Sequence, residues 1–250
     1  MSLIYIFAAS PMEAEPVRKI GTPSSPDSHF RCGENELVLI TGGMGPRNAR
    51  EKADLTFRSG YGAPSGRKPD VAMTIGLCGG LIDPMKEGAV VTYEECLSTE
   101  DHNQSLSCSG VFTDSLMSRL KASDIRCDRV IGITSSRIAI NRIERSMLAN
   151  RGAVVVDMES FSILEVAASA NVPVVILRVV SDSVDRKLPD FNRALDARGG
   201  LDSRKALRVA LASPWSTAKL LAANRRAMRA LTEALQVILS SRCFEGSVIH

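Results

Sequence analysis

The chain has 250 residues, enough for one large domain or two small ones with a substantial core. Apolar residues make up 44% and charged residues 24%, near the globular average, which excludes a disordered chain, a collagen-like fibre and a pure coiled coil. Lys+Arg total 31 against 28 Asp+Glu, a net charge of +3, and aromatics are 4%: too small an excess and too few stacking platforms for nucleic acid as the main partner.

Leu3 to Ala9 is the first apolar run. It is too short to span a bilayer and lacks the basic leader of a signal peptide, so a cytoplasmic protein is expected. Ser10-Pro11-Met12-Glu13-Ala14-Glu15-Pro16 follows and opens a helix. Gly21 to Asp27 reads as a surface connection, with His29 in a surface loop beyond it. Leu37 to Ile40 is the second run, followed by Thr41-Gly42-Gly43-Met44-Gly45-Pro46 and a helix over Asn48 to Arg58. Ser59 to Pro69 is a second connection. Val71 to Ile75 is the third run, followed by Gly76-Leu77-Cys78-Gly79-Gly80-Leu81. Both glycine segments let a backbone approach a ligand closely and offer N–H donors; each also reads as a tight turn.

Gly88 to Thr92 and Arg129 to Ile133 are further strands, separated by a polar excursion from Ser98 to Ser109 that carries His102. Asn141 to Ala149 is helical. Val154 to Val156 is a strand, Ser160 to Ala170 a helix with Phe161, Leu164 and Ala168 on one face, and Val172 to Leu177 a strand. These Val- and Ile-rich runs do not alternate with polar residues, as befits strands buried on both faces of a parallel or mixed sheet. Strand–helix alternation gives an α/β fold. Arg193 to Asp202 is a loop. Ser203 to Leu211 is a helix stopped by Pro214, and Ser216 to Leu239 a long amphipathic helix with Leu220, Ala223, Ala227, Leu231, Leu235 and Ile238 on one face. Arg225, Arg226 and Arg229 give it a basic side: either a solvated face or a surface that meets an anionic membrane. Residues 1–250 read as one domain with a helical extension from about 203.

Six cysteines (Cys32, Cys78, Cys96, Cys108, Cys127, Cys243) form no Cys-x-x-Cys pair and no zinc spacing, so free thiols and no metal are expected. His29, His102 and His250 make no Ser-His-Asp arrangement, and Gly-x-Ser-x-Gly is absent. Three carboxylates, Glu15, Glu159 and Asp182, each follow an apolar run. One at a time, the first two suit a helix dipole and the third a turn. Together they fall where α/β sheets bind ligands, at strand carboxyl ends, and converging carboxylates can divide acid and base roles.

In this order the features resemble the nucleoside phosphorylase/nucleosidase superfamily, including its methylthioadenosine/S-adenosylhomocysteine nucleosidases. Pro11-Met12-Glu13-Ala14-Glu15 is similar to the Ala-Met-Glu-Glu-Glu entry, departing at Pro11 and Ala14. Pro69-Asp70-Val71 through Gly80-Leu81 resembles a Pro-Asp strand and Gly-Gly-Leu turn, and Lys86 to Val91 a Gly-Asp-Ile-Val-Val stretch with Ala89 in place of the aspartate. Val156-Asp157-Met158-Glu159 through Arg178-Val179-Val180-Ser181-Asp182 resembles the family's Met-Glu helix and Arg-x-x-Ser-Asp ending. Asp182 to Pro189, Pro214 and the long basic helix resemble the hopanoid-associated branch.

The resemblance implies a three-layer α/β/α fold with a central mixed sheet, no cofactor, and a homo-oligomer acting on a small-molecule or lipid-linked nucleoside. It implies cleavage of the N-ribosidic bond of an adenine nucleoside, with adenosylhopane in hopanoid synthesis as the narrower expectation. By position, Asp182 protonates or hydrogen-bonds purine N7, Glu15 activates water, Glu159 holds the ribose hydroxyls and Met158 packs on the sugar. Ile138 and Ala139 line the base pocket, and Cys78 and Gly79 complete the binding set. Phosphorolytic relatives carry Arg-x-Gly-Ser before the Gly-Gly; Thr74 and Leu77 stand here, which favours water, although Arg47 or Arg178 leaves a cation for phosphorolysis. A catalytically silent nucleoside-binding protein is the alternative of another class.

Overall fold

A computed structural model describes residues 1–24, 27–59, 67–83, 85–101, 104–196, 199–241 and 244. His102, Cys243, His250 and most of the Ser59 to Pro69 connection lie outside the described residues.

The strands are β1 (Leu3–Ala8), β2 (Thr22–Ser24), β3 (His29–Cys32), β4 (Asn35–Thr41), β5 (Val71–Gly80), β6 (Val90–Ser98), β7 (Ser105–Ser107), β8 (Cys127–Thr134), β9 (Val155–Asp157) and β10 (Val174–Asp182). The helices are α1 (Pro11–Ile20), α2 (Pro46–Ser59), α3 (Gly110–Ala122), α4 (Arg142–Ala149), α5 (Ser160–Ser169), α6 (Ser203–Ala212) and α7 (Pro214–Leu239). Among the described residues, the ten strands belong to one mixed sheet.

The layers follow from the pleat. Successive side chains of β1 point to opposite faces, and both faces are apolar. Ile4 and Ile6 join a core with Ala14 and Val17 of α1, Phe112, Leu116 and Leu120 of α3, and Ala227, Leu231 and Leu235 of α7. Leu3, Tyr5 and Phe7 join a second core with Ala49 and Ala53 of α2 and Phe161, Leu164 and Ala167 of α5. β10 divides the same way, Val175, Leu177 and Val179 to the first core and Val174, Ile176 and Val180 to the second. The sheet is therefore sandwiched between two helical layers.

One half of the sheet closes on itself. β5 pairs with β10, β10 with β6, β6 with β8, β8 with β9, and β9 returns to β5 at Gly79 and Gly80. On its other edge β5 pairs with β1 over Val71 to Ile75 and only later meets β9, so the two neighbours part around Gly76. That divergence opens a crevice at the carboxyl ends of β1, β5 and β9, the position where open α/β sheets bind ligands.

Several expectations need correction. The segment Gly76 to Gly80 is not a loop but the end of β5. Gly76 holds φ +147, and a Cβ there would collide with the Glu13 carboxylate and the Arg178 guanidinium, so a side chain is excluded by what must sit beside it. His29 is not in a surface loop; it is buried in β3. Pro214 begins α7 as an N-terminal proline rather than only ending α6.

Candidate active site

Each acidic residue reaches the crevice by its own local rule. Ser10 caps α1: its hydroxyl accepts from the Glu13 N–H at 3.3 Å, and the Glu13 Oε2 accepts from the Ser10 N–H at 3.1 Å. This capping box folds the Glu13 side chain back over the start of the helix. Its Oε1 there accepts from the Leu77 N–H of β5 at 2.9 Å. Glu13 is buried and lines the cleft.

Glu159 precedes α5. Its Oε1 accepts from the Gly45 N–H at 2.9 Å and its Oε2 lies 3.7 Å from Arg178 Nη2. Asp157 anchors that turn: Oδ1 accepts from the Thr134 hydroxyl at 2.7 Å and from the Glu159 and Ser160 N–H groups at 3.1 Å, while Oδ2 accepts from the Tyr93 hydroxyl at 3.0 Å. Arg178, on β10, lies beneath: Nε is 3.4 Å from Asp157 Oδ2 and Nη2 donates to the Ser160 hydroxyl at 2.9 Å. Burial pushes the Glu159 carboxyl up to about 7; Arg178 draws it down, the Asp157 and Glu13 charges push it up, and the Gly45 N–H draws it down.

Asp182 ends β10 just past an irregularity in its register with β5 at Ser181. Such a bulge re-aims the next side chain. The Ser181 hydroxyl lies 2.6 Å from Asp182 Oδ1 as donor, and Arg145 Nη2 of α4 donates to Oδ2. Gly79 leaves room for this carboxylate, since a Cβ on Gly79 would lie 3.0 Å from Oδ2.

These groups face one cavity of about 240 Å³. Asp182, Glu159, Met158, Ile138, Ala139, Cys78 and Gly79 all line it. Glu15 does not. It lies on the outer face of α1, its side chain 50% exposed and 3.6 Å from Lys19, because the capping box turns position 13 inward and position 15 falls on the opposite side of the helix. Glu13 is the carboxylate that α1 places in the cleft. Cys78 is buried, and burial holds its thiol well above the ordinary range, so it packs rather than attacks. Arg47 is exposed and does not line this cavity, while Arg178 is already engaged by Asp157 and Glu159.

The sequence reading missed Glu13, Arg145, Arg178's partners and Asn224. Ser10 three residues before Glu13 was the available signal for the first. Arg145 carried none: a lone Arg in a helix gives no hint that it is buried. Asn224 of α7 lines the cleft, and its Oδ1 is buried with no hydrogen-bond partner among the described residues. The exposed Arg137 also lines the cleft, and Met12, Met44, Leu188, Phe191 and Leu220 give it an apolar side. Among the described residues no group of three or more His, Cys, Asp or Glu side chains is placed to hold a metal ion. No described helix is long and apolar enough to cross a membrane.

Proteins of known structure share this fold. A futalosine hydrolase mutant of Helicobacter pylori superposes with a TM-score of 0.70 at 11% identity, over 96% of this chain and 99% of that one. A Neisseria meningitidis 5'-methylthioadenosine/S-adenosylhomocysteine nucleosidase, in complex with methylthio-immucillin-A, gives 0.70 at 15% identity over 96% and 99%. The nucleosidase of Colwellia psychrerythraea with adenine gives 0.68 at 12% identity over 95% and 94%. The family profile of the phosphorylase superfamily matches residues 4–211, most of the sheet and all of the residues that line the cleft except those on α7, and the chain belongs to that superfamily.

Proposed function

We propose that this protein hydrolyses the N-ribosidic bond of an adenine nucleoside. The observation that carries the reading is the convergence of three carboxylates from three elements, Glu13, Glu159 and Asp182, on one cleft. Asp182, paired with Arg145, takes up a proton from water as the nucleoside enters and passes it to purine N7 as the C1′–N9 bond breaks and its electron pair passes into the base. The carboxylate left behind remains on the Arg145 guanidinium, which is already in place to stabilise it. Glu159 accepts from the ribose 2′- and 3′-hydroxyls, and Met158 packs on the sugar. Glu13 removes a proton from the water whose oxygen bonds to C1′ of the oxocarbenium-like sugar. The products are adenine and the free ribosyl compound, and protons balance between Asp182 and Glu13.

Water is favoured over phosphate by charge. A phosphate beside C1′ would meet the Glu13 and Glu159 carboxylates, and the Leu77 N–H is already taken as a donor to Glu13. Met12 precedes Glu13 and Met44 precedes Gly45, whose N–H donates to Glu159, and with Leu220 they give the cleft an apolar side suited to a lipid-linked 5′ substituent of the adenosylhopane kind. The exposed Ile143 and Met147 of α4, the helix that supplies Arg145, support a homo-oligomeric state with a second copy over this side.

The test is adenine release from adenosylhopane and from methylthioadenosine, each with and without phosphate. Turnover in phosphate-free buffer, faster with the lipid-linked nucleoside, is expected. A strict phosphate requirement overturns the hydrolytic reading, and indifference to the 5′ group overturns the lipid-linked one.

A further inference from the structure

Residues 203–232 contain no carboxylate and seven cations, three on α6 (Arg204, Lys205, Arg208) and four on α7 between Lys219 and Arg229. All seven are exposed. α6 buries none of its residues, which is unusual for an amphipathic helix in a domain of this size. Its outward apolar residues Leu207 and Leu211 are 60% and 70% exposed, and Trp215, in the first turn of α7, is 82% exposed. Leu207 and Leu211 are one helical turn apart, with Arg204 and Arg208 on the adjoining stripe. Large apolar side chains bordered by long cationic ones, with an exposed tryptophan four residues further along the chain, are the make-up of a segment that lies in a lipid interface.

We infer that α6 and the first turn of α7 seat this protein on an anionic lipid surface, with Leu207, Leu211 and Trp215 at the acyl boundary and the cations among the headgroups. Charge selects this occupant. A second copy packed two-fold on the same face would set these cations against their own duplicates. Nucleic acid would use the cations but leave the leucines in water. The basic side of α7 contributes as part of this field rather than as the anchor itself, since Arg226 is engaged by Glu87 at 2.7 Å and Ala223 and Ala227 are buried. The anchor adjoins the cleft: Leu220 lines it, about 7.5 Å along α7 from Trp215. The inference holds for any substrate, because it rests on this surface and not on the reaction.

Trp215 is the one tryptophan of the chain, so its emission reports the contact directly. The 250-residue chain is mixed with phosphatidylcholine vesicles with and without phosphatidylglycerol. A blue shift and protection from acrylamide with the anionic vesicles alone are expected. The Leu207→Glu/Leu211→Glu variant should lose the shift, and Arg204→Gln/Lys205→Gln/Arg208→Gln should partition on the order of a hundredfold more weakly, both with an unchanged melting temperature. No shift with anionic vesicles overturns the inference. So does self-association that the leucine variant abolishes without vesicle binding, which would make the face a contact between copies. Binding to duplex DNA that survives the leucine variant, with no vesicle response, would make it a nucleic-acid surface instead.

Discussion

Arg145 and Asp182 form a buried ion pair at the end of the cleft, and the same guanidinium donates to the backbone carbonyls of Gly80 at 3.0 Å, Ser183 at 2.8 Å and Ala139 at 3.2 Å. One side chain thereby fixes the ends of β5 and β10 and the segment before α4 while it holds the proposed proton donor. Removing Arg145 orphans several buried carbonyls as well as a carboxylate, so Arg145→Met is expected to lower stability by about 3–5 kcal/mol, read from denaturant unfolding. A loss below about 1 kcal/mol would show that the pair contributes little to the fold.

Asp182→Asn keeps an acceptor for Arg145 and removes the transferable proton. Adenine release is expected to fall by about 10²–10⁴-fold while the chain stays folded by circular dichroism. Retained turnover would exclude Asp182 as the acid.

Glu13 and Glu15 separate the structural reading from the motif reading. Glu13→Gln is expected to reduce kcat by about 10²-fold or more, and Glu15→Gln, on the exposed face beside Lys19, to leave it within about twofold. The reverse pattern would return the water-activating role to Glu15.

Glu159 gives a pH signature. Its ordinary value is 4.5 and its folded value about 7, so between these the folded chain keeps a proton the unfolded chain has released. Below 4.5 both are protonated and the residue contributes nothing; stability then falls as pH rises toward 7 and is level above it. Glu159→Gln should remove that slope from denaturant midpoints measured across the window. The ionised form is the better acceptor for ribose hydroxyls, so KM should fall as pH rises through about 7, and this limb should vanish in the variant. A KM independent of pH would remove Glu159 from ribose binding.

Gly76→Ala places a methyl against Glu13 and Arg178 at φ +147. A stability loss of about 1–3 kcal/mol and a larger proportional loss of turnover are expected, measured on the same preparation. A fully active variant would mean that the Glu13 position tolerates displacement.

The long elements were legible because burial on both faces leaves uninterrupted Val and Ile. β1, β4 and β10 announce themselves this way, and the buried face of α7 runs through Ala223, Ala227, Leu231 and Leu235 as its period required. α3 was not legible: its polar residues Thr113, Asp114, Ser115 and Ser118 dilute the helical period, and it is held by Phe112, Leu116 and Leu120 against α7 and the sheet. β2, β3 and β7, of three or four residues each, are too short for a period to register. In the site, Asp182 was found because it ends a strand, and Glu159 because it follows one by two residues. Glu15 was chosen over Glu13 because motif spacing counts residues, whereas a capping box decides which carboxylate turns inward. Closure of the sheet through β5 and β10 is a long-range pairing that no local pattern encodes.

The most direct test of the central claim is the fate of oxygen. The reaction is run on methylthioadenosine in ¹⁸O-labelled water without phosphate, and the sugar product is weighed by mass spectrometry under conditions that limit exchange at C1′. One ¹⁸O atom in the ribosyl product, with adenine unlabelled and the signal lost in Asp182→Asn, is the predicted result. A product without label, or no product until phosphate is added, would contradict it.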